Sequence, residues 1–128
     1  MQKIFTFFIF SLLVLSSSFK ALSGLDDVIN ALRSGNATEV GSYIDENVEL
    51  SLPDKSDNYS KAQAIMILKA FFAKNVVTGF ETKHTGDNSG NQFCIGTLHT
   101  RAGDYRTTVF MKTRNGRQSV KEIKFQPM

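Results

Sequence analysis

The sequence predicts an α+β fold, with N-terminal helices packed on a four-stranded antiparallel meander. Three observations carry this. Between residues 78 and 125 stand three turn signals, Asn88-Ser89-Gly90-Asn91, Ala102-Gly103-Asp104 and Asn115-Gly116, each with residues that tolerate the φ > 0 of a tight hairpin. The segments between them, about ten residues each, are rich in Thr, Val, Ile, Phe and Tyr, which suit a pleated surface. Helical periodicity is confined to the residues before this stretch. No spacer within it is long enough for a crossover helix, which argues against parallel pairing.

The chain begins with Met1-Gln2-Lys3 and an apolar run from Ile4 to Leu15, broken only by Thr6 and Ser11. Ser16-Ser17-Ser18 and Ala21-Leu22-Ser23 follow. This is the layout of a secretory signal peptide, with cleavage expected after Ser18 or Ser23. The run is about twelve residues, short of the roughly 20 that span a bilayer, so no stable membrane span is expected after cleavage. An uncleaved membrane anchor is the alternative. The protein is therefore expected to be exported, periplasmic or extracellular, with residues 1–23 as the signal and residues 24–128 as one domain. Without Lys3 and Lys20 the formal charge falls from +3 to +1, 13 basic residues against 12 acidic. That balance gives no electrostatic footprint for nucleic acid. Cys94 is the single cysteine and reads as a small buried hydrophobe rather than a nucleophile.

Ser23 is the expected N-cap of a first helix, and Asp26 and Asp27 suit its positive end. Leu25, Val28, Ile29 and Leu32 make one apolar face, and Gly35 ends the helix. A second short helix is expected from Ala37 to Tyr43, with Val40, Tyr43 and Ile44 turned inward. Val48, Leu50 and Leu52 alternate as a short strand that Pro53 stops, and Asp54 to Asn58 reads as a charged loop. Ser60 and Gln63 form a capping box. The helix they open runs to about Ala73, with Asn75 as its C-terminal cap. It is apolar nearly all round, which predicts burial on most sides.

The four strands are placed at residues 79–87, 92–101, 105–114 and 118–126. Val109 and Met111 oppose Phe110, as in a strand buried on both faces. In the last strand Lys121, Ile123 and Phe125 oppose Val120, Glu122 and Lys124. The middle turn closes with two or three residues, and the two choices give the second strand opposite facings.

The order helix, short helix, short strand, long helix, meander resembles the nuclear transport factor 2-like fold, also called cystatin-like, in which a curved sheet wraps a long helix into a cone. More closely, the chain is similar to a family of small exported bacterial proteins of unknown function within that superfamily. The resemblance rests on Asp27-Val28-Ile29-Asn30-Ala31-Leu32, Gly35-Asn36, Ser42-Tyr43-Ile44-Asp45-Glu46-Asn47-Val48-Glu49-Leu50 and Lys69-Ala70-Phe71-Phe72. In the sheet it rests on Gly79-Phe80, His84-Thr85-Gly86, Ile95-Gly96-Thr97-Leu98 and Tyr105-Arg106. It spans nearly all of residues 25–126. It implies a fold and says little about activity, because this superfold hosts enzymes and binders alike.

Ketosteroid isomerases, which the chain resembles in fold, need a carboxylate base in an apolar cone with a Tyr and a second acid on the oxyanion. The expected central strands, 92–101 and 105–114, hold no Asp or Glu, and the first helix holds no Tyr. The same absence counts against epoxide hydrolase chemistry. Dehydratases of this superfamily use His, which makes His84 and His99 candidates. If the first hairpin closes on Ser89-Gly90, His84 faces Ile95 and His99 faces Phe80, so the two share a face without being neighbours. No third ligand for a metal is evident, and no cofactor is called for. Arg106 could clamp an anion, and Asp45 could act at the cone mouth or serve as a turn residue bonding its own backbone. The inventory favours a non-enzymatic exported protein that binds a small apolar ligand or a protein partner. A dehydratase- or isomerase-type enzyme using a pocket His is the alternative, and a homodimerising structural module is a third.

Overall fold

The computed structural model describes residues 24–128; the expected export segment and the expected Ser23 cap lie outside the described residues. Helix α1 covers Gly24–Arg33 and buries Leu25, Val28, Ile29 and Leu32. Gly35 takes φ +65° just beyond it, and the amide of Asn36 returns to the Ala31 carbonyl at 2.9 Å, which closes the helix. Helix α2, Ala37–Gly41, is capped by Asn36, whose side chain accepts from the Glu39 amide at 3.1 Å. Val40 and Ile44 point inward as expected, while Tyr43 is only half-buried. Its hydroxyl donates to Asp27 Oδ2 at 2.5 Å, tying α2 to α1. That bond, with burial and the Asp27 charge behind it, raises the Tyr43 phenol above its ordinary pKa.

Strand β1, Asn47–Leu52, alternates as predicted, with Val48, Leu50 and Leu52 buried. The expected charged loop after Pro53 is instead a strand. β2, Lys55–Ser60, pairs antiparallel with β1 across a two-residue Pro53-Asp54 turn. It lies at the sheet edge with most of its side chains in water. Its ladder is made by backbone groups and by a Ser51–Ser56 hydroxyl contact at 2.8 Å, so no hydrophobic alternation marks it in the sequence.

Helix α3, Lys61–Lys74, starts in the capping box read from the sequence and ends at Asn75, whose amide returns to the Phe71 carbonyl at 2.8 Å. It buries Ala64, Leu68, Phe71 and Phe72. Burial on most sides is not observed: Met66 is 71% exposed, and Ala62, Ala70 and Ala73 face water. The sheet covers one side of the helix only.

The meander is β3 (Val77–Asn88), β4 (Asn91–Thr100), β5 (Gly103–Arg114) and β6 (Arg117–Pro127). Ser89 and Gly90 in one turn, and Asn115 and Gly116 in another, all take positive φ, the geometry of a type I′ hairpin. The middle turn closes on two residues, pairing Thr100 with Gly103 and Leu98 with Tyr105. This puts Cys94 and Leu98 inside.

The sheet has six strands, not four, in the order β2-β1-β6-β5-β4-β3. β1 pairs parallel with β6, so the sheet is mixed. The crossover between them is α3 together with the rest of the meander, a connection far longer than any spacer inside the hairpins. Beyond a shift between Val77 and Gly79 at the start of β3, two register shifts depart from simple alternation. One, opposite Phe110 and Met111, returns Val120 to the inner face beside Ile123 and Phe125. β5 itself alternates without interruption, with Phe110 on the outer face and 42% exposed, so it is not buried on both sides. The other, between Thr82 and His84, makes His99 pair with Gly79 instead of Phe80.

Gly96 marks a tight backbone contact on the inner face of the sheet. A Cβ there would meet the Glu81 carbonyl oxygen at 2.5 Å and Phe80 Cζ at 2.6 Å. The carbonyl belongs to the paired strand and cannot rotate away. Gly96→Ala is expected to lower the unfolding free energy by about 1–3 kcal/mol, read as a shift of the urea midpoint at unchanged m-value.

Candidate functional site

The interior of the cone is filled by aromatic rings. Phe71 lies 4.8 Å from Phe125, 5.7 Å from Phe72 and 5.2 Å from Tyr105, centroid to centroid. Phe72 meets Phe125 edge-on at 6.3 Å. Phe71, Phe72 and Phe125 are each at most 8% exposed. Every buried side-chain nitrogen and oxygen among the described residues has a hydrogen-bond partner.

Space opens beside this plug instead of within it. A groove of about 420 Å³ runs between α3 and the β1–β2 turn, lined by Leu52, Met66, Ile67, Phe71 and Tyr105, with Asp54, Lys55 and Lys74 on its rim. The Tyr105 hydroxyl donates to Asn75 Oδ1 at 2.9 Å, and Asn75 Nδ2 donates to the Phe71 carbonyl at 3.0 Å. The residue that caps α3 therefore also fixes the tyrosine at the groove wall.

Three of the four candidate residues lie on the outer face of the sheet, the face turned away from the helices. His99 Nδ1 is 3.0 Å from Asp104 Oδ1, and its Nε2 is 3.2 Å from Glu81 Oε1. Hydrogen bonds to Asp104 and then to Glu81 raise its pKa above the ordinary imidazole value. Glu81 is lowered in turn, first by Lys83 at 2.7 Å and then by His99. Asp104 enters because β5 begins at Gly103, earlier than the sequence pattern suggests. His84 pairs with Ile95 as read from the sequence, is exposed, and stands 5.7 Å from the Phe93 ring. Arg106 pairs with Thr97 and Gln126 and is exposed. Asp45 sits apart, after α2, and reaches Arg117 at 3.7 Å. Among the described residues no three His, Cys, Asp or Glu side chains gather as a metal site. Cys94 is fully buried and its thiol is pushed up by burial.

The outer face carries a feature that sequence reasoning missed. Phe93 and Phe110 face each other across β4 and β5 with centroids 5.9 Å apart. Phe93 lies over Gly86, where a Cβ would meet its ring at 2.1 Å. Ile95 and Thr108 pair in the next row. Beside Phe110 stand Glu122 and its neighbour Glu49. Burial, and then the hydrogen bond to Glu49, raise the Glu122 carboxyl above its ordinary pKa. The alternation Phe93–Cys94–Ile95 was the available signal, with both large residues on the face opposite the buried cysteine.

Comparison with known proteins agrees with this architecture. The family model for a domain of unknown function, DUF4783, matches residues 25–126. The chain belongs to the DUF4783 family. A DUF4783 protein from Bacteroides ovatus has 30% sequence identity and a TM-score of 0.77, over 84% of this chain and 96% of that one. One from Bacteroides uniformis has 27% identity and a TM-score of 0.79, over 83% and 98%. An NTF2-like protein of unknown function from Cytophaga hutchinsonii has 9% identity and a TM-score of 0.60, over 86% and 95%, which shows the shared fold. No curated protein matches the chain. The DUF4783 chain thus has the nuclear transport factor 2-like fold, with six strands in a mixed sheet.

Two pH dependences follow from the outer face. A raised His99 pKa means stability fully present below the unfolded value, near 6.5, and lost as pH rises through the folded value. His99→Gln should lower the thermal midpoint at about pH 5 and far less at about pH 9. The raised Glu122 pKa likewise favours the protonated carboxyl in the folded state. Glu122→Gln should therefore raise the midpoint at neutral pH, with no gain below about pH 4, where the acid is neutral in both states. Thermal unfolding across that pH range reads both.

Proposed function

We propose that this DUF4783 protein is an exported, non-enzymatic module that binds a protein partner through the outer face of its sheet. The observation that carries the reading is the Phe93–Phe110 pair, flanked by Ile95 and His84 on a face that no described element covers. Large apolar side chains scattered singly over a surface need no explanation, but contiguous ones mark interaction sites. Aromatic anchors ringed by polar groups are what interfaces concentrate their energy in. Here Gly86 seats Phe93 and Phe110 packs against it at a tilt, so little ordering remains to be done on binding. Glu49, Glu122 and His84 supply the polar rim. The filled cone supports the same reading, because a substrate would have to displace Phe71 or Phe72 to enter. A photo-crosslinking phenylalanine analogue at Phe110, introduced in expressing cells, should give a discrete protein adduct that Phe93→Ser abolishes. The same analogue at the exposed Ala73 should give none. An adduct of twice the chain mass would make a second copy the partner, and equal labelling at both positions would sink the proposal.

A second reading keeps a small apolar ligand. Met66, 71% exposed on the wall of the groove beside Ile67 and Phe71, favours it. Fatty acids or apolar dyes should then raise the thermal midpoint, and Met66→Lys should remove that gain. No shift across a broad apolar panel would eliminate this version.

A further inference from the structure

Five cationic side chains, Lys61, Lys112, Arg114, Arg117 and Lys121, surround one hollow of about 550 Å³ at the β5–β6 turn. Only two carboxylates, Asp45 and Glu46, share it, a local surplus of three positive charges (5 − 2 = 3). Of the five cations, only Arg117 has a carboxylate within ion-pair distance among the described residues, Asp45 at 3.7 Å. Both partners are about half exposed or more, so solvent screens that pair. Like charges gathered with too few counter-charges repel one another and add nothing to folding.

The hollow lies where the chain enters the described domain. The Gly24 amide donates to Gln118 Oε1 at 2.7 Å. Arg117, the preceding residue, lines both this hollow and the adjoining one that Gly24 borders. Upstream of Gly24 lies the apolar run from Ile4 to Leu15, joined to it by residues 16–23. Fully extended, that connection reaches roughly 28 Å, at about 3.5 Å per residue. Whenever the apolar run lies in a bilayer, the entry to the domain at Gly24 therefore stays within roughly 28 Å of the bilayer's apolar core.

We propose that this basic end of the molecule docks on an anionic phospholipid surface, with the Phe93–Phe110 face left available to a partner. Juxtamembrane Lys and Arg residues gain affinity for anionic lipid roughly additively, by about fivefold per charge. The attraction falls off within a Debye length, about 8 Å at physiological ionic strength.

Vesicle flotation of the full-length chain recovered from expressing cells tests this. Phosphatidylcholine vesicles report what the N-terminal segment does alone, and vesicles with added phosphatidylglycerol report the charge contribution. The expected result is stronger binding to the anionic vesicles that fades with salt. Lys112→Gln/Arg114→Gln should weaken that extra binding roughly 25-fold, at about fivefold per charge. Lys69→Gln/Lys74→Gln, with the same net charge but on α3, should leave it intact. Lys61→Gln/Arg117→Gln repeats the test on other side chains of the hollow should the first pair unfold, as thermal midpoints would show. Equal loss in the α3 pair, no preference for phosphatidylglycerol, or displacement by millimolar inorganic phosphate would overturn the proposal. The last would make the hollow a site for small soluble anions.

Discussion

The packing of Phe71 and Phe72 against Phe125 is the constraint on which the rest of the molecule depends. Those rings join the last turns of α3 to the inner face of β6, the strand that links the β1–β2 hairpin to the meander. Each ring buries on the order of 150–250 Å², and tilted or edge-on pairs add attraction beyond that area. With the rings seated, α3 can lie only along the curve of the sheet. Asn75 then meets Tyr105, the groove opens on the other side of α3, and the interior is closed. A fold widely used to enclose a substrate is here filled by its own side chains.

Closing the interior moves the chemistry outward. His84, His99 and Arg106 all lie on the face away from the helices. His99 is held between Asp104 and Glu81, an arrangement that stabilises an imidazolium on an open sheet surface. The same face gathers the molecule's unusual surface apolarity in Phe93 and Phe110. At the β5–β6 end the cations collect.

The parts of the fold legible in the sequence were those with a local physical cause. Ser60 and Gln63 satisfy the first amides of α3 by themselves, so their spacing is sufficient warning of a helix. Asn115-Gly116 can adopt positive φ without tertiary help. Val48, Leu50 and Leu52 alternate because one face of β1 is buried. What was not legible has causes distant in sequence. β2 carries polar residues on both faces and is a strand because β1 offers it backbone partners. β1 lies parallel to β6 because the sheet closes after a long excursion, which no spacer length could signal. The shifts at Thr82–His84 and Phe110–Met111 set the partner of His99 and turn Val120 inward, with no glycine or proline to announce them.

The sequence by itself determined the helices, the hairpin turns, the absence of carboxylates from residues 92–101 and 105–114 and the α+β class, since each rests on residues within a few positions of one another. Only the tertiary structure decided that the cone is filled, that His99 meets Glu81 and Asp104, and that Phe93 packs against Phe110. It alone decided that five cations converge at the β5–β6 turn. Those outcomes depend on sheet register and on the seating of α3, and a one-residue slip in register exchanges the two faces of a strand.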